Sequence, residues 1–205
     1  MPEYKLIYFN MAARAELARW CFAYGGIEYE DKRIEFEDWP EMKADMPGGQ
    51  LPVLMVDDKP LPESLAISRY IAKQAGLVPE DDLEAAYCDA IVDTLVALHM
   101  TVIEQVMMLK AECEEKKRVM MEEVVPNKIN PRLNMLNEKL EDRDWVVSDQ
   151  TTWADLQIGL LFGMLSEKFP DMLADYPNVS AHVEKVRALE PIAEWISNGP
   201  ETEII

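Results

Sequence analysis

Tyr8 sits near the end of the apolar stretch "YKLIYF", and Arg14 follows six residues later at the head of "RAELARWCFAYGG". Trp39 and Lys43 stand at i and i+4 in "WPEMK", so they share one face if that segment is helical. Glu63 and Ser64 open "ESLAISRYIAKQAG", and a serine at a helix N-terminus presents a hydroxyl and an unpaired N–H. These residues are mainly donors, with one acid among them. Other chemistries lack their parts. His99 and His182 are the only histidines and lie far apart, so they build neither a catalytic dyad nor a metal site. Cys21, Cys88 and Cys113 form no CxxC pair and no metal set. Each donor also has a plain alternative: Tyr8 as a core aromatic, Trp39 as packing, Lys43 as a solvated charge, Ser64 as a helix cap.

"GGQLPVLMV", residues 48–56, raises a separate question. Leu51 to Val56 reads as a buried strand, yet Pro52 has no backbone N–H to give to a sheet. A proline at the mouth of a strand is tolerated where that N–H is not wanted. It becomes useful where the preceding bond is cis, which only proline makes cheap.

Net charge weighs against some partners. The chain of 205 residues carries 39 acids against 20 bases, a formal charge of −19. Such a surface repels nucleic acid and anionic membranes. A few bases gathered in one cleft can still reverse the local potential, so an anionic small ligand stays open. The opening "MPEYKLIYFN" lacks the basic and apolar regions of a signal peptide, and uninterrupted apolar stretches are too short for a bilayer, so a cytoplasmic protein is expected.

Two grammars position these residues. Up to about residue 78 the period changes repeatedly: a strand at 4–9, a helix ended by Gly25-Gly26, a strand "RIEF" at 33–36, a long connection, a strand "PVLMV", a short strand, and a helix capped by Ser64 and ended by Gly76. From Leu83 onward apolar residues recur at three and four, as in Ile91, Leu95, Leu98 and Val102. "TWAD" predicts a helix start in which Asp155 reaches back to Thr152. Pro126 and Pro131 are expected to begin or kink the second helix of this half. The break falls in "GLVPEDD", which gives an α/β domain at 1–78 and an all-helical domain at 84–205.

A small α/β unit with a proline opening its third strand, followed by helices, resembles the cytosolic glutathione transferases. The resemblance spans the whole chain and is most specific, toward the sigma class, at "YKLIYFN", "RAELAR", "EDWPEMK", "GGQLPVL", "ESLAISRY", "DAIVDTL" and "TWADL". It implies a thioredoxin-like first domain that binds glutathione and a helical second domain that carries a hydrophobic pocket. Pro52 would be the family's cis-proline, turning the Leu51 backbone toward the cysteinyl part of glutathione. Tyr8 would stabilise the thiolate, with Arg14 holding its side chain in place. Trp39, Lys43 and Gln50 would take the glycyl end, and Ser64 and Glu63 the γ-glutamyl carboxylate and ammonium. Met11, Met100, Ile103 and Met107 would line the hydrophobic-substrate pocket, where thioethers suit varied apolar electrophiles; core filling is the competing role for methionine.

The resemblance further implies glutathione as co-substrate, a hydrophobic electrophile as second substrate, no metal, and a homodimer. Certain positions depart from it. Val96 and Ala97 stand where relatives place acids that reach the neighbouring subunit's glutathione or bind a metal, and Ala12-Ala13 replace a common Arg-Gly. Ile103 and Glu104 occupy the region where prostaglandin-isomerising members carry a tryptophan, so general conjugation, with reduction of lipid peroxides, is expected ahead of isomerisation. A crystallin-like or carrier relative with little turnover is the reading from another class.

Overall fold

The computed structural model of the protein describes residues 2–109 and 118–200, without the side chains of 103–109 and 121. It divides into two compact units, one running to Val78 and resuming at Pro191, the other from Pro79 to Glu190.

The first unit begins with β1 (Tyr4–Phe9), α1 (Glu16–Gly25) and β2 (Glu30–Ile34). It continues through α2 (Trp39–Met42), β3 (Val53–Val56), β4 (Lys59–Pro62) and α3 (Ser64–Gln74). The sheet order is β2-β1-β3-β4, with β1 and β2 parallel and the other pairs antiparallel. β1 lies between two partners, so four of its six residues are buried rather than every second one. Leu6 and Leu54 pair across β1 and β3 and are fully buried, as are Ile67 and Ile71 of α3. The ends of α1 and α3 approach closely: a side chain at Gly25 would place its Cβ 2.7 Å from that of Ala75. β4 carries Pro60 and Pro62, at the edge of the sheet, where a missing donor costs least.

Two boundaries differ from the sequence reading. The second strand is Glu30–Ile34 rather than 33–36, because Ile34 pairs with Phe9, the last residue of β1, and beyond it there is no partner. Phe36 is instead 57% exposed and stacks on the Phe9 ring at 4.5 Å. At α3 the helix already includes Ser64, and the preceding residue is Glu63, with φ 74° and ψ 114° and no side-chain cap.

The second unit is helical: α4 (Asp82–Leu109), α5 (Met120–Ile129), α6 (Asn130–Lys139), α7 (Trp153–Lys168) and α8 (Pro177–Arg187). α4 is long and apolar enough over Asp82–Val102 to cross a membrane by length and composition, against the expectation from its interrupted runs. Cys88, Val92, Leu95 and Val102 are nevertheless buried, and the helix packs on α7. α7 is buried without interruption from Trp153 to Gly163, as befits a helix covered on every side. Pro126 lies inside α5, which is wound as a π-helix, and Pro131 sits in the first turn of α6.

Asp155 reaches back as "TWAD" predicts. One carboxylate oxygen accepts from Thr152 N at 2.8 Å and Thr152 Oγ1 at 2.7 Å, while the other accepts from Val146 N at 2.8 Å. His182 Nε2 lies 3.0 Å from that second oxygen.

α9 (Glu190–Asn198) groups with the first unit from Pro191 onward, whereas the sequence reading carried the helical domain to 205. Ile192 is buried, and Trp195 Nε1 donates to Glu16 Oε1 of α1 at 2.7 Å.

Candidate functional site

A cavity of about 150 Å³ opens in the first unit. Among its walls are Arg14, Gln50, Leu51, Pro52, Glu63 and Ser64. They arrive from three places: the turn after β1, the segment entering β3, and the start of α3. The Leu51-Pro52 peptide is cis. Glu63 holds a positive φ that a side chain resists, and the adjoining N-terminus of α3 brings its free amides to the same wall. An arginine, a glutamine, a serine and a glutamate therefore line one cavity, a set of donors and one acid that suits a ligand bearing both an acid and an amine.

Tyr8 is not part of that wall. Its side chain is buried, 5% exposed, with Phe9 edge-on at 5.7 Å. Burial pushes the phenol above its ordinary pKa, and the Arg14 backbone N–H, the Arg14 charge and the Arg19 charge pull it partly back. The phenol is therefore protonated at neutral pH, and its O–H is polarised by a donor from behind. Such a group stabilises an anion by donating to it and does not act as a base. Arg14, expected to hold the Tyr8 side chain, is exposed and lines the cavity.

Trp39 and Lys43 also lie outside the cavity wall. Trp39 is half-buried and edge-on to Phe9 at 5.8 Å. Lys43 follows α2 in a tighter turn, and its exposed stem runs along Gly49, whose absent Cβ would sit 3.4 Å from Lys43 Cγ and Cε. That places the ammonium's stem beside the Gly48 and Gln50 edge of the cavity.

Of the residues assigned to an apolar substrate, Met11 is buried in the first unit and Met100 is half-buried on α4. Ile103 and Met107 lie outside the described side chains. Among the described residues no group of three His, Cys, Asp or Glu gathers as metal ligands would. His99 is deeply buried on α4, and desolvation lowers its pKa to about 4.

Sequence reasoning missed the charged cluster behind the site. Arg19, fully buried, donates from Nη1 to Met11 O at 2.7 Å and to Glu16 Oε2 at 3.1 Å. Its Nε lies 3.3 and 3.2 Å from the two Asp31 oxygens. The available signal was the Glu16 to Arg19 spacing of three within an otherwise apolar helix face.

Comparison with known proteins adds the remaining findings. The model of the glutathione S-transferase N-terminal domain matches residues 4–73, and that of the C-terminal domain matches residues 99–199. The chain is 40% identical over 207 residues to a hematopoietic prostaglandin D synthase of Gallus gallus, covering 100% of both. It is 36% identical to glutathione S-transferase S1 of Drosophila melanogaster, covering 98% of this chain and 81% of that protein. A monomeric glutathione S-transferase of the hookworm Necator americanus superposes with a TM-score of 0.91 at 32% identity, covering 98% of this chain and 99% of that one. A rat prostaglandin D synthase in complex with a quinoline superposes with a TM-score of 0.87 at 37% identity, covering 99% and 100%.

Proposed function

Because the chain belongs to the glutathione S-transferase family, we propose that it binds glutathione in the cavity of its first unit, holds the thiol as thiolate with Tyr8, and conjugates it to hydrophobic electrophiles. Reduction of lipid peroxides belongs to the same reading, since the thiolate is the nucleophile in both. The observation that carries it is the cavity lined by Arg14, Gln50, Glu63 and Ser64 at the cis Leu51-Pro52 peptide, with Tyr8 buried near the end of β1, the strand that pairs with β3. A free thiol titrates near about 8.5, so at neutral pH only a small fraction is reactive, and one oriented O–H donor shifts that balance toward the anion.

The cavity supports assignments along the tripeptide. Ser64 and the α3 N-terminus receive the γ-glutamyl carboxylate, and Glu63 accepts from the ammonium. The Leu51 backbone pairs with the cysteinyl part beside Pro52. Gln50, Trp39 and Lys43 take the glycyl carboxylate. Met11, Met100, Ile103 and Met107 are assigned to the electrophile, and the protein to the cytoplasm.

Replacement of Tyr8 by phenylalanine tests the reading. Turnover is expected to fall by roughly ten- to a thousandfold with glutathione affinity nearly unchanged, and the thiolate absorbance of bound glutathione to titrate at higher pH. A titration that does not move removes Tyr8 from this role.

The 40% identity to an avian prostaglandin D synthase favours a second reading, isomerisation of a prostaglandin endoperoxide. An assay of the purified protein with glutathione against an aryl halide, an organic peroxide and prostaglandin H2 separates the two, and failure to turn over any of them leaves the carrier reading. A homodimer is part of the proposal, although the hookworm protein is described as monomeric. Sedimentation at micromolar concentration across salt decides it, and a monomer throughout refutes it.

A further inference from the structure

We infer that Arg19 is a positioning residue for Tyr8, and that Trp195, 179 positions from Glu16 in the chain, belongs to the same device. This inference rests on the role proposed above for Tyr8.

An oriented donor works only if its oxygen is held to a fraction of an ångström. Tyr8 is the last residue but one of β1, and the chain leaves the sheet immediately afterward. Over the next residues the backbone bonds are Asn10 N to Ile34 O at 3.3 Å and Met11 N to Phe9 O at 2.7 Å. Ala13 then takes φ 34°, a left-handed conformation that an alanine keeps only where its surroundings impose it. Arg14, which lines the cavity, comes next.

Two guanidinium groups, one buried and one half-buried, hold this turn. Arg19 Nη1 donates to Met11 O at 2.7 Å, and Arg33 Nη1 donates to Asn10 Oδ1 at 3.1 Å. Both arginines rest on one carboxylate, Asp31, with Arg33 Nε at 2.8 Å. The Arg19 Cζ also lies 5.9 Å from the centre of the Tyr8 ring. The same group therefore fixes the turn and abuts the ring.

Arg19 is in turn oriented from α9. Its Nη1 is shared between Met11 O and Glu16 Oε2, so the position of the Glu16 carboxylate sets how the guanidinium faces the turn. The other Glu16 oxygen accepts from Trp195 Nε1 at 2.7 Å. α9 could be docked by apolar contact alone, as Ile192 is, and a buried charge cluster adds little net stability over packed apolar residues. What the chain of bonds supplies is direction: Trp195 orients Glu16, Glu16 and Asp31 orient Arg19, and Arg19 orients the turn that leaves Tyr8 and abuts its ring.

Trp195→Phe keeps a ring and removes the donor; Arg19→Lys keeps the charge and removes the fork that spans Met11 O and Asp31. Each is assayed as purified full-length protein with glutathione and an aryl halide, beside Tyr8→Phe. Trp195→Phe is expected to lower kcat about three- to tenfold at unchanged KM for glutathione, to move the acid limb of the pH–rate profile to higher pH, and to shift the titration of bound thiolate the same way. Arg19→Lys is expected to do the same more strongly. Where Arg19→Lys does not fold, Trp195→Phe decides alone. A lowered urea midpoint with an unmoved pH profile and titration makes the cluster merely structural and overturns the inference, as does no change at all. If Tyr8→Phe itself leaves the titration in place, the underlying role of Tyr8 fails; if Tyr8→Phe moves it and Trp195→Phe does not, only the present inference falls.

Discussion

The two units bury charge for different ends. In the second, Asp155 is fully buried, and its partners are two backbone amides, a threonine hydroxyl and a histidine. All serve to start α7 and to close the segment before it. In the first, Asp31 and Glu16 are matched by Arg19 and Arg33, and each guanidinium donates from Nη1 to the turn after β1. A carboxylate that caps a helix stabilises structure and nothing else. A carboxylate that aims an arginine at a loop governs where that loop sits, and here the loop carries the groups around Tyr8.

Breaking the first cluster is expected to have the largest effect. Arg19→Met removes the guanidinium that Asp31 and Glu16 share, leaving Asp31 with Arg33 and Glu16 with Trp195, and stability in urea should fall by about 3–5 kcal/mol. A loss under about 1 kcal/mol would mean that the carboxylates find solvent or protons easily and that the cluster is weakly held. Asp155→Ala removes the α7 cap and orphans the Thr152 and Val146 amides, for an expected loss of about 2–4 kcal/mol. Here the pH–rate profile with glutathione should remain unchanged in the folded protein. A displaced profile would contradict the division of labour between the two carboxylate sites.

The second unit also buries a base without pairing it to an acid in the way Arg19 is paired. His99 is neutral in the fold, with a pKa lowered to about 4 by desolvation, whereas the unfolded chain takes up a proton near 6.5. Between those values the unfolded state binds more protons, so stability falls as pH falls. From pH 7 to pH 5 the expected loss is about 2 kcal/mol, and it should vanish in His99→Gln relative to the same protein at pH 7. Urea midpoints that run parallel in the two proteins would place the acid sensitivity elsewhere. The smallest effect sharpens the picture of the first unit. Ala13→Gly relieves the left-handed backbone but loosens the unfolded chain, and a gain below about 1 kcal/mol is expected. A loss would show that the turn does not strain Ala13.

Much of this molecule is written in short-range pattern. Alternation and helical spacing placed the α/β unit ahead of the helices, and "TWAD" announced the bond from Asp155 to Thr152, because each depends on residues only a few positions apart. Pro52 was visible as a residue with a special backbone use, whereas Ser64, read as the cap, lies inside α3 and the cap position falls to Glu63. Arg14 was found as a residue of the turn that lines the cavity.

The remainder needed the assembled chain. Where β2 ends depends on where β1 runs out of partners, so Phe36 reads as a strand residue and lies exposed against Phe9. Glu63 adopts a positive φ that its own residue type opposes, held by the structure on either side. α9 groups with the first unit, where its Trp195 indole reaches a carboxylate 179 positions away. Glu16 and Arg19 look in sequence like a solvated pair on a helix, since charge alone does not say which face will be covered. Periodicity records the face a segment turns inward, but which charges are buried there, and on what they act, is decided only when distant segments meet and each desolvated group must find its partner.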